Sequence, residues 1–227
     1  PGAGAFVDAA SNILGSLNLL ENCVRAGVRK FVYVSTGGAL YGEPEYLPCD
    51  EVHPIRPLSP YGVSKHTVEH YLFLFRHIHG LNYTTLRLAN VYGPRQDPFG
   101  EAGVVAIFTQ RMLDGQQAVI YGNGEQERDF VYVEDCARAA VLALSRGDGQ
   151  AYNIGCGLGI TINRLFAEMK SATGYALQAQ YDPPRPGDVF RSYLDATKAR
   201  QELGWIPEVA LEEGLRRTVS HFRRHVS

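Results

Sequence analysis

The chain has 227 residues, a net charge of −2 and a pI near 6.4, with 45% hydrophobic and 20% charged residues. These values are typical of a globular protein with a substantial core, and they give no electrostatic reason to expect nucleic acid or an anionic membrane as a partner. No apolar run is long enough to cross a bilayer, and the four cysteines form no CxxC or CxxH pair, so we expect reduced thiols in a cytoplasmic protein.

Strand and helix patterns alternate along the first part of the chain. Apolar residues spaced for one helical face predict a helix over residues 8–26, and a β-branched and aromatic run predicts a buried parallel strand at 31–35. Ser59 is a good N-cap and Pro60 suits the first helical position, so a second helix is predicted from there to about His79.

The remainder of the chain continues this alternation. Further strands are predicted at 83–88, 118–121, 129–132 and 151–154, and further helices at 103–114, 133–145, 161–174 and, in two pieces, 195–226. Strands that alternate with helices indicate an α/β fold with a parallel sheet.

Tyr61 and Lys65 are the first candidates for chemistry. Residues four apart on a helix share one face, so the ammonium would lie about one turn from the phenol. A nearby cation favours the phenolate, and lowering a phenol pKa from about 10 to about 7 takes roughly 4 kcal/mol. The lysine can supply part of that, and a cationic cofactor could supply more. The pair alone is weak evidence, since such spacings arise by chance on many helices.

Six motifs in order give the pair a context. They are STGGALYG (35–42), SPYGVSK (59–65), LRLANVYGP (86–94), GNGEQERDFVYVED (122–135), YNIGCG (152–157) and RPGD (185–188). Together they resemble the extended short-chain dehydrogenase/reductases of the NAD-dependent epimerase/dehydratase family, most closely the UDP-glucose 4-epimerase branch. The resemblance extends over nearly the whole chain.

The resemblance implies a partial Rossmann-type parallel sheet and a smaller C-terminal α/β region that binds substrate. Residues 1–91 would form the second half of the NAD-binding domain and 92–227 mainly the substrate region, with 129–157 returning to the first. The glycine-rich phosphate loop of the family is expected before residue 1. The strand at 31–35 would then expose an unpaired apolar edge, and we expect poor solubility as a monomer.

The implied activity is NAD-dependent epimerisation of a nucleotide sugar, most simply UDP-glucose and UDP-galactose, through a 4-keto intermediate. By resemblance, Tyr61 removes the proton of the sugar 4-hydroxyl, while Lys65 holds the nicotinamide ribose and depresses the phenol pKa. Asn12 matches an asparagine on the cofactor side, although a helix-surface asparagine is an alternative.

A hydroxyl near the sugar oxygen relays the proton in this family, and here the sequence departs from the usual pattern. Gly37 occupies the position that usually carries the serine or threonine, so Thr36 or Ser35 must substitute, and we favour Thr36. The alternative is that both hydroxyls only satisfy backbone groups at a strand end.

The same segment separates sister enzymes. Nucleotide-sugar 4,6-dehydratases resemble this chain but need an Asp-Glu pair after the threonine, and UDP-glucuronate decarboxylases need the glutamate. Gly38 and Ala39 stand there instead, which disfavours both reactions.

Five residues match the family's substrate contacts in order. Asn90 and Arg128 would contact the diphosphate, Tyr121 would pack on uracil, and Arg185 with Asp188 would hold phosphate and ribose hydroxyls. Taken singly, each could equally be part of a surface ion pair.

Ser192 occupies the position that gates the pocket beside the sugar 2-substituent, and a side chain this small would admit an N-acetyl group. No metal site is expected, because His66 and His70 have a suitable spacing but no evident third ligand.

Three readings remain open from the sequence. The first is the epimerase, or another extended short-chain dehydrogenase acting on nucleotide sugars. The second is a non-catalytic protein that binds a UDP-sugar through the retained half-site, and the third is a subunit that pairs with a separate N-terminal fragment. The family forms dimers through helices that match residues 8–26 and 61–79, so a homodimer is expected.

Overall fold

A computed structural model describes residues 4–99, 103–185 and 188–225. Its helices are α1 (Ala5–Asp8), α2 (Gly15–Arg25), α3 (Pro60–His79), α4 (Val104–Leu113), α5 (Val133–Ala143), α6 (Ile162–Thr173) and α7 (Leu211–His225). Its strands are β1 (Lys30–Thr36), β2 (Asn82–Leu88), β3 (Asn90–Tyr92), β4 (Val119–Tyr121), β5 (Glu127–Arg128), β6 (Phe130–Tyr132), β7 (Gln150–Ile154), β8 (Ile160–Thr161), β9 (Gln180–Asp182) and β10 (Arg191–Ser192). Among these helices, none has the length and apolar character needed to span a membrane.

The centre of the fold is a parallel sheet in the order β1-β2-β7. β1 runs beside β2 in register from Lys30↔Asn82 to Thr36↔Leu88, and β2 runs beside β7. The α/β fold with a parallel sheet predicted from the sequence is therefore confirmed. Within the described ranges, β1 pairs along one edge only and is an edge strand.

Each face of this sheet has its own apolar core, because side chains alternate between the faces of a strand. On one face, Tyr33 of β1 packs with Leu72 of α3 and with α2. On the other, Leu86 of β2 and Ile154 of β7 join a cluster that includes the buried Trp205. The sheet is thus covered by helices on both faces, as parallel sheets require.

Both helices predicted around the first strand are present. The one predicted over 8–26 begins earlier, at Ala5, and a π-helical turn at Ala9–Leu14 joins α1 to α2. α3 begins as expected, with the Gly62 N–H donating to Ser59 Oγ at 3.1 Å. It ends at Gly80, whose φ of 72° is the left-handed conformation that favours glycine at a helix C-terminus.

Short strands build the rest of the fold. β3 lies beside β6, β4 beside β9, and β5 between β10 and β8. The sequence predicts none of β3, β5, β8, β9 and β10, because two or three residues carry too little periodic signal. A third core, formed by α4, α6, α7 and β6, lies beneath them. The first three residues, Pro186 and Gly187 of the RPGD motif, and the last two residues lie outside the described ranges.

The strand predicted at 129–132 begins one residue later, as β6, and the almost fully buried Asp129 separates it from β5. Its carboxylate accepts three backbone bonds, from the N–H groups of Cys156 at 2.8 Å, Gly157 at 3.0 Å and Leu194 at 3.2 Å. Burial raises the pKa of Asp129 to about 6, and the three hydrogen bonds oppose that rise. A β-carbon on Gly155 would collide with this carboxylate, which explains the first glycine of the YNIGCG motif.

Candidate active site

The start of α3 lies directly against the loop that follows β1. Tyr61 stands in the first turn of α3, with 39% of its surface exposed, and Lys65 follows one turn later. A β-carbon on Gly62 would lie 2.5 Å from the Ala39 carbonyl oxygen, so only glycine allows this approach of helix and loop. The glycine of the SPYGVSK motif therefore brings Tyr61 close to the end of β1.

Lys65 is half-buried beside an aromatic ring. Its Nζ lies 4.4 Å from the centroid of the Tyr33 ring. Burial lowers the pKa of Lys65, because the charged form loses solvation, while the negative charge of Glu69 one turn further along α3 opposes that shift. The ammonium is thereby fixed in position on the same helical face as Tyr61.

The two candidate hydroxyls at the end of β1 differ in their contacts. Ser35 Oγ donates to Glu69 Oε1 at 2.7 Å. Thr36 Oγ1 accepts the Ala39 N–H at 3.2 Å, a bond that does not use the hydroxyl's own proton. At Gly37, a β-carbon would collide with Leu194 Cδ1, so a side chain at the usual relay position would require the buried Leu194 side chain to move. The geometry favours Thr36 over Ser35 as the relay candidate.

Asn12 connects the π-helical turn to the start of α3. Its Nδ2 donates to Ser64 Oγ at 2.9 Å, and Ser64 Oγ in turn donates to the Tyr61 carbonyl at 2.8 Å. The side chain therefore lies next to the Tyr61–Lys65 turn, on the side predicted to face the cofactor.

A cavity of about 310 Å³, here the α4 cavity, collects the predicted substrate residues. Five of them line it, namely Asn90, Tyr121, Arg128, Arg185 and Asp188. Arg128 forms an ion pair with Asp188, and the Arg185 guanidinium lies 3.9 Å from the centroid of the Tyr121 ring. Arg111, which the sequence reasoning missed, also lines the cavity. Three guanidinium groups against one carboxylate among its described lining residues make it attractive to an anion.

The wall of the α4 cavity includes one edge of β4. On the opposite edge, the Ala118 carbonyl accepts the Gln180 N–H at 3.0 Å and the Gly122 N–H donates to the Asp182 carbonyl at 2.8 Å. Successive residues of a strand direct their backbone groups to alternate edges, so the N–H and C=O of Val119 point away from β9. Val119 also lines the cavity, and its donor and acceptor are side by side on the edge of β4 that faces away from β9.

A smaller cavity of about 180 Å³, the loop cavity, adjoins both the start of α3 and the α4 cavity. Gly38 and Ser59 line it on the Tyr61 side, and Arg128 and Asp188 line it on the side of the α4 cavity. Arg128 and Asp188 thus border both spaces. Ser192, buried and paired with Arg128 across β10 and β5, does not line the α4 cavity in the described part of the chain.

A buried polar network under this site was not anticipated from the sequence. Arg87 of β2 donates to Glu69 Oε2 at 2.7 Å and to the Tyr41 hydroxyl at 3.1 Å, and that hydroxyl donates to Asn153 Oδ1 at 2.7 Å. Burial raises the pKa of Glu69, but hydrogen bonds from His66, Arg87 and Ser35 outweigh it and hold the value at about 2. The sequence signal that could have predicted this network is Arg87, a charged residue within the apolar strand β2.

Comparison with known proteins identifies the family. The model of the NAD-dependent epimerase/dehydratase family matches residues 4–155. The chain belongs to the NAD-dependent epimerase/dehydratase family. A putative UDP-glucose 4-epimerase of Methanocaldococcus jannaschii is 48% identical over 218 residues, which are 96% of this chain and 71% of that protein. A dTDP-glucose 4,6-dehydratase of Streptomyces niveus is 35% identical over 97% of this chain and 65% of its own length.

A solved member of the epimerase/dehydratase family has almost the same fold. The crystal structure of UDP-glucose 4-epimerase from Thermotoga maritima with UDP-glucose superimposes with a TM-score of 0.97 at 53% identity, covering 99% of this chain and 73% of that one. The resemblance inferred from the six motifs is therefore confirmed at the level of the family.

The residues around Lys65 suit the family's cofactor, NAD. β1 and β2 are parallel, and nucleotides bind beyond the carboxyl ends of such strands, where Thr36 stands. The ammonium of Lys65 and the amide of Asn12 offer donors suited to ribose hydroxyls on that side.

We predict that Glu69→Gln destabilises the fold in a pH-dependent way. The folded-state pKa of Glu69, about 2, lies below the ordinary value of 4.5, so its ionised form stabilises the fold above pH 4.5 and loses this effect as the pH falls towards 2. The lost stability near neutral pH is about 3 kcal/mol, from the size of the pKa shift. Thermal unfolding should show the largest deficit of the variant at pH 7 and a smaller one at pH 3.

Glu21→Gln is the matched control, because Glu21 forms a 3.9 Å ion pair with Arg25 in which both side chains are mostly exposed. Exposed pairs contribute little, so this variant should unfold as the parent does at both values of pH. A Glu69 deficit that is the same at pH 7 and pH 3 would contradict the assignment of the ionised form to the network.

Proposed function

We propose that this protein is an NAD-dependent nucleotide-sugar 4-epimerase that interconverts UDP-glucose and UDP-galactose through a 4-keto intermediate. The observation that carries the proposal is the loop cavity, which is lined by Ser59, two residues before Tyr61, and by Arg128 and Asp188 of the α4 cavity. This space suits a sugar whose nucleotide lies beyond Arg128 and Asp188. NAD, when bound, supplies the acceptor and donor of hydride. We infer the domain division and the cytoplasmic location predicted above along with it.

The loop cavity favours epimerisation over dehydration. Asp188 is the one carboxylate among its described lining residues, and it is ion-paired with Arg128. Gly38 and Ala39 occupy the positions at which the sister enzymes need acidic residues. A dehydratase must protonate a leaving hydroxyl and remove a second proton, which needs an acid and a base besides the tyrosine. An epimerase needs only Tyr61 and the cofactor.

In this reaction Tyr61 takes and returns the proton of the sugar 4-hydroxyl. Lys65 stabilises the phenolate from one turn away and holds the cofactor ribose, and Asn12 supports that side through Ser64. Thr36 passes the proton between the sugar oxygen and the phenol, since its own proton is not used by the bond to Ala39. Proton transfer by positioned groups of this kind contributes about 10²- to 10⁴-fold in rate.

The α4 cavity would hold the uridine diphosphate. Asn90 and Arg128 would donate to the diphosphate, and Arg185 would leave the Tyr121 ring to join them while Asp188 accepts from the ribose hydroxyls. Tyr121 is then open to pack on the base. The Val119 N–H and C=O match the adjacent acceptor and donor on the imide edge of uracil, which supports a uridine nucleotide.

A homodimer is also part of the proposal. Apolar side chains of α1 and α3 face solvent, among them Phe6 at 93% and Phe73 at 66% exposure, and α1 packs on α3. A second copy of the chain would cover this face through the same helices. Light scattering should give twice the chain mass, and Phe73→Glu should reduce it to one. Leu158→Glu, at an equally exposed site away from these helices, should leave the mass unchanged, and a parent protein that is already monomeric refutes this part.

We expect Tyr61→Phe to lower the rate of UDP-galactose conversion by about 10³-fold, because it removes the hydroxyl that takes the proton. UDP affinity, measured by calorimetry, should stay within about twofold, since the phenol lies outside the α4 cavity. The assay is the formation of UDP-glucose by purified protein with added NAD. Tyr46→Phe, which removes an exposed hydroxyl bonded to Asp50, is the control.

Conversion that survives Tyr61→Phe within tenfold would exclude the proposed base. A parent protein that binds UDP but converts no UDP-sugar would instead favour the non-catalytic binding protein. Nucleotide released on denaturing the purified protein separates these cases further, because NAD in the supernatant supports the enzyme and UDP alone supports the binding protein.

Ser192 is the residue at which we expect the choice of sugar to be made. Its side chain is small and buried. By resemblance it lies beside the sugar 2-substituent, so Ser192→Tyr would fill that space. Conversion of UDP-N-acetylglucosamine relative to UDP-glucose should fall by about 10- to 100-fold, as expected when one substituent no longer fits a pocket. Ser192→Ala should leave the ratio unchanged. An equal ratio in the tyrosine variant would show that the residue does not border the sugar.

A further inference from the structure

Arg111 is a charged residue at the apolar end of the α4 cavity. It stands in the last turn of α4, on the face that also carries Ile107 and Phe108 into the cavity. Its guanidinium is held in place by a bond from Nη1 to the Gln117 carbonyl at 3.0 Å. A guanidinium has five N–H donors, so this bond leaves most of its donor capacity for a ligand.

Helix α4 runs along the cavity, and this places Arg111 far from Asn90, one of the residues proposed to bind the diphosphate. The N-terminus of α4 adjoins Gln96, whose amide donates to the Val91 carbonyl beside Asn90. From Val104 to Arg111, α4 rises about 10 Å at 1.5 Å per residue. Arg111 therefore lies at the opposite end of the cavity from Asn90, beside the residues that precede β4.

Arg111 also lies at one end of the β4 edge that faces the cavity, and Tyr121 lies at the other end. At one end the Gln117 carbonyl is bonded to Arg111, and at the other the Tyr121 carbonyl accepts Gln126 Nε2 at 2.7 Å. The N–H and C=O of Val119 lie between them. Tyr121 marks the end nearer the phosphates, since Arg185 stacks on its ring.

A uracil base docked on Val119 would present one carbonyl oxygen to Arg111. If the base N3–H donates to the Val119 carbonyl, the oxygens O2 and O4 lie on either side of it. The ribose is attached beside O2, so O2 faces the phosphate end of the edge and O4 faces Arg111. A carbonyl oxygen has two lone pairs, so O4 can accept from both the Val119 N–H and the guanidinium.

We propose that Arg111 selects the base of the nucleotide by donating a hydrogen bond to the oxygen at position 4 of a pyrimidine. This rests on the proposed binding of a nucleoside diphosphate in the α4 cavity. Uracil and thymine carry the required acceptor. Cytosine carries an amino group at that position, which would set donor against donor and leave the buried N–H groups without an acceptor, a costly arrangement. Arg111 thus acts on specificity and not on the chemical step.

The alternative roles of Arg111 make different predictions. An arginine that attracted the diphosphate through its charge would strengthen binding of every nucleoside diphosphate equally. An arginine that only held the C-terminal end of α4 to Gln117 would affect stability and leave nucleotide affinity unchanged. A base-selecting arginine changes the ratio of affinities for two ligands that differ only at the base.

The test measures dissociation constants of UDP and CDP by calorimetry for the purified protein and two variants. Arg111→Ala removes the guanidinium, and Arg111→Met removes it while keeping a long apolar stem that preserves packing on α4. The parent should bind UDP at least tenfold more tightly than CDP. In both variants UDP affinity should fall about tenfold, the effect of one hydrogen bond from a charged donor, and CDP affinity should stay within twofold.

Arg164→Ala is the control for loss of positive charge, because Arg164 is an exposed residue of α6 outside the α4 cavity. It should alter neither constant. Equal losses for UDP and CDP in the Arg111 variants, or no loss for either, would overturn base selection while leaving the proposed function intact. A parent protein that binds UDP and CDP equally would also overturn base selection alone. A parent protein that binds neither nucleotide would overturn both base selection and the proposed function.

Discussion

The hydrogen bonds of one buried carboxylate set the relation between the two parts of the fold. Asp129 lies between β5 and β6, and its oxygens hold the turn that follows β7 and the backbone of Leu194. β7 belongs to the central sheet, whereas β5 carries Arg128 into the α4 cavity. The distance from the end of β1 to the α4 cavity therefore depends on this junction. Three donors that converge on one carboxylate also exclude other arrangements, since any shift would leave buried N–H groups without acceptors.

The helix that carries Tyr61 and Lys65 is anchored in a comparable way. Its N-terminus is fixed by the Ser59 cap, and the turn after Lys65 is fixed by the Glu69–Arg87 pair. Because Arg87 continues through Tyr41 to Asn153, one polar chain crosses β1, β2 and β7 beneath the site. The hydrogen bonds of this network make its surroundings rigid, and rigidity is what the proposed pair, Tyr61 and Lys65, requires. The stability of the helix and the orientation of its side chains thus have the same origin.

Sequence reasoning succeeded where long elements or family motifs carry the signal. The helices around the first strand and the parallel character of the sheet follow from periodicity and from capping residues such as Ser59, whereas the order of its strands was not predicted. The short strands β3, β5, β8, β9 and β10 could not be predicted, since their pairing depends on partners distant in the chain. The motifs predicted candidate functional residues but gave no structural reason for the glycines among them. Gly62 and Gly155 are explained only by the atoms that a side chain would meet, Ala39 and Asp129 respectively. Arg111 lies outside every motif and became visible only through the cavity it lines.

Gly37 and Leu194 show how the history of a site can be constrained by packing. A β-carbon at position 37 would occupy the space of the Leu194 side chain, which belongs to the core on one face of the sheet. Neither position can therefore change freely, because a side chain at position 37 would force the buried Leu194 side chain to move. The two residues are epistatic, although they are 157 positions apart in the numbering of the chain. While Leu194 is present, packing disfavours a side chain at position 37, and a smaller residue at position 194 alone would leave a cavity in the core.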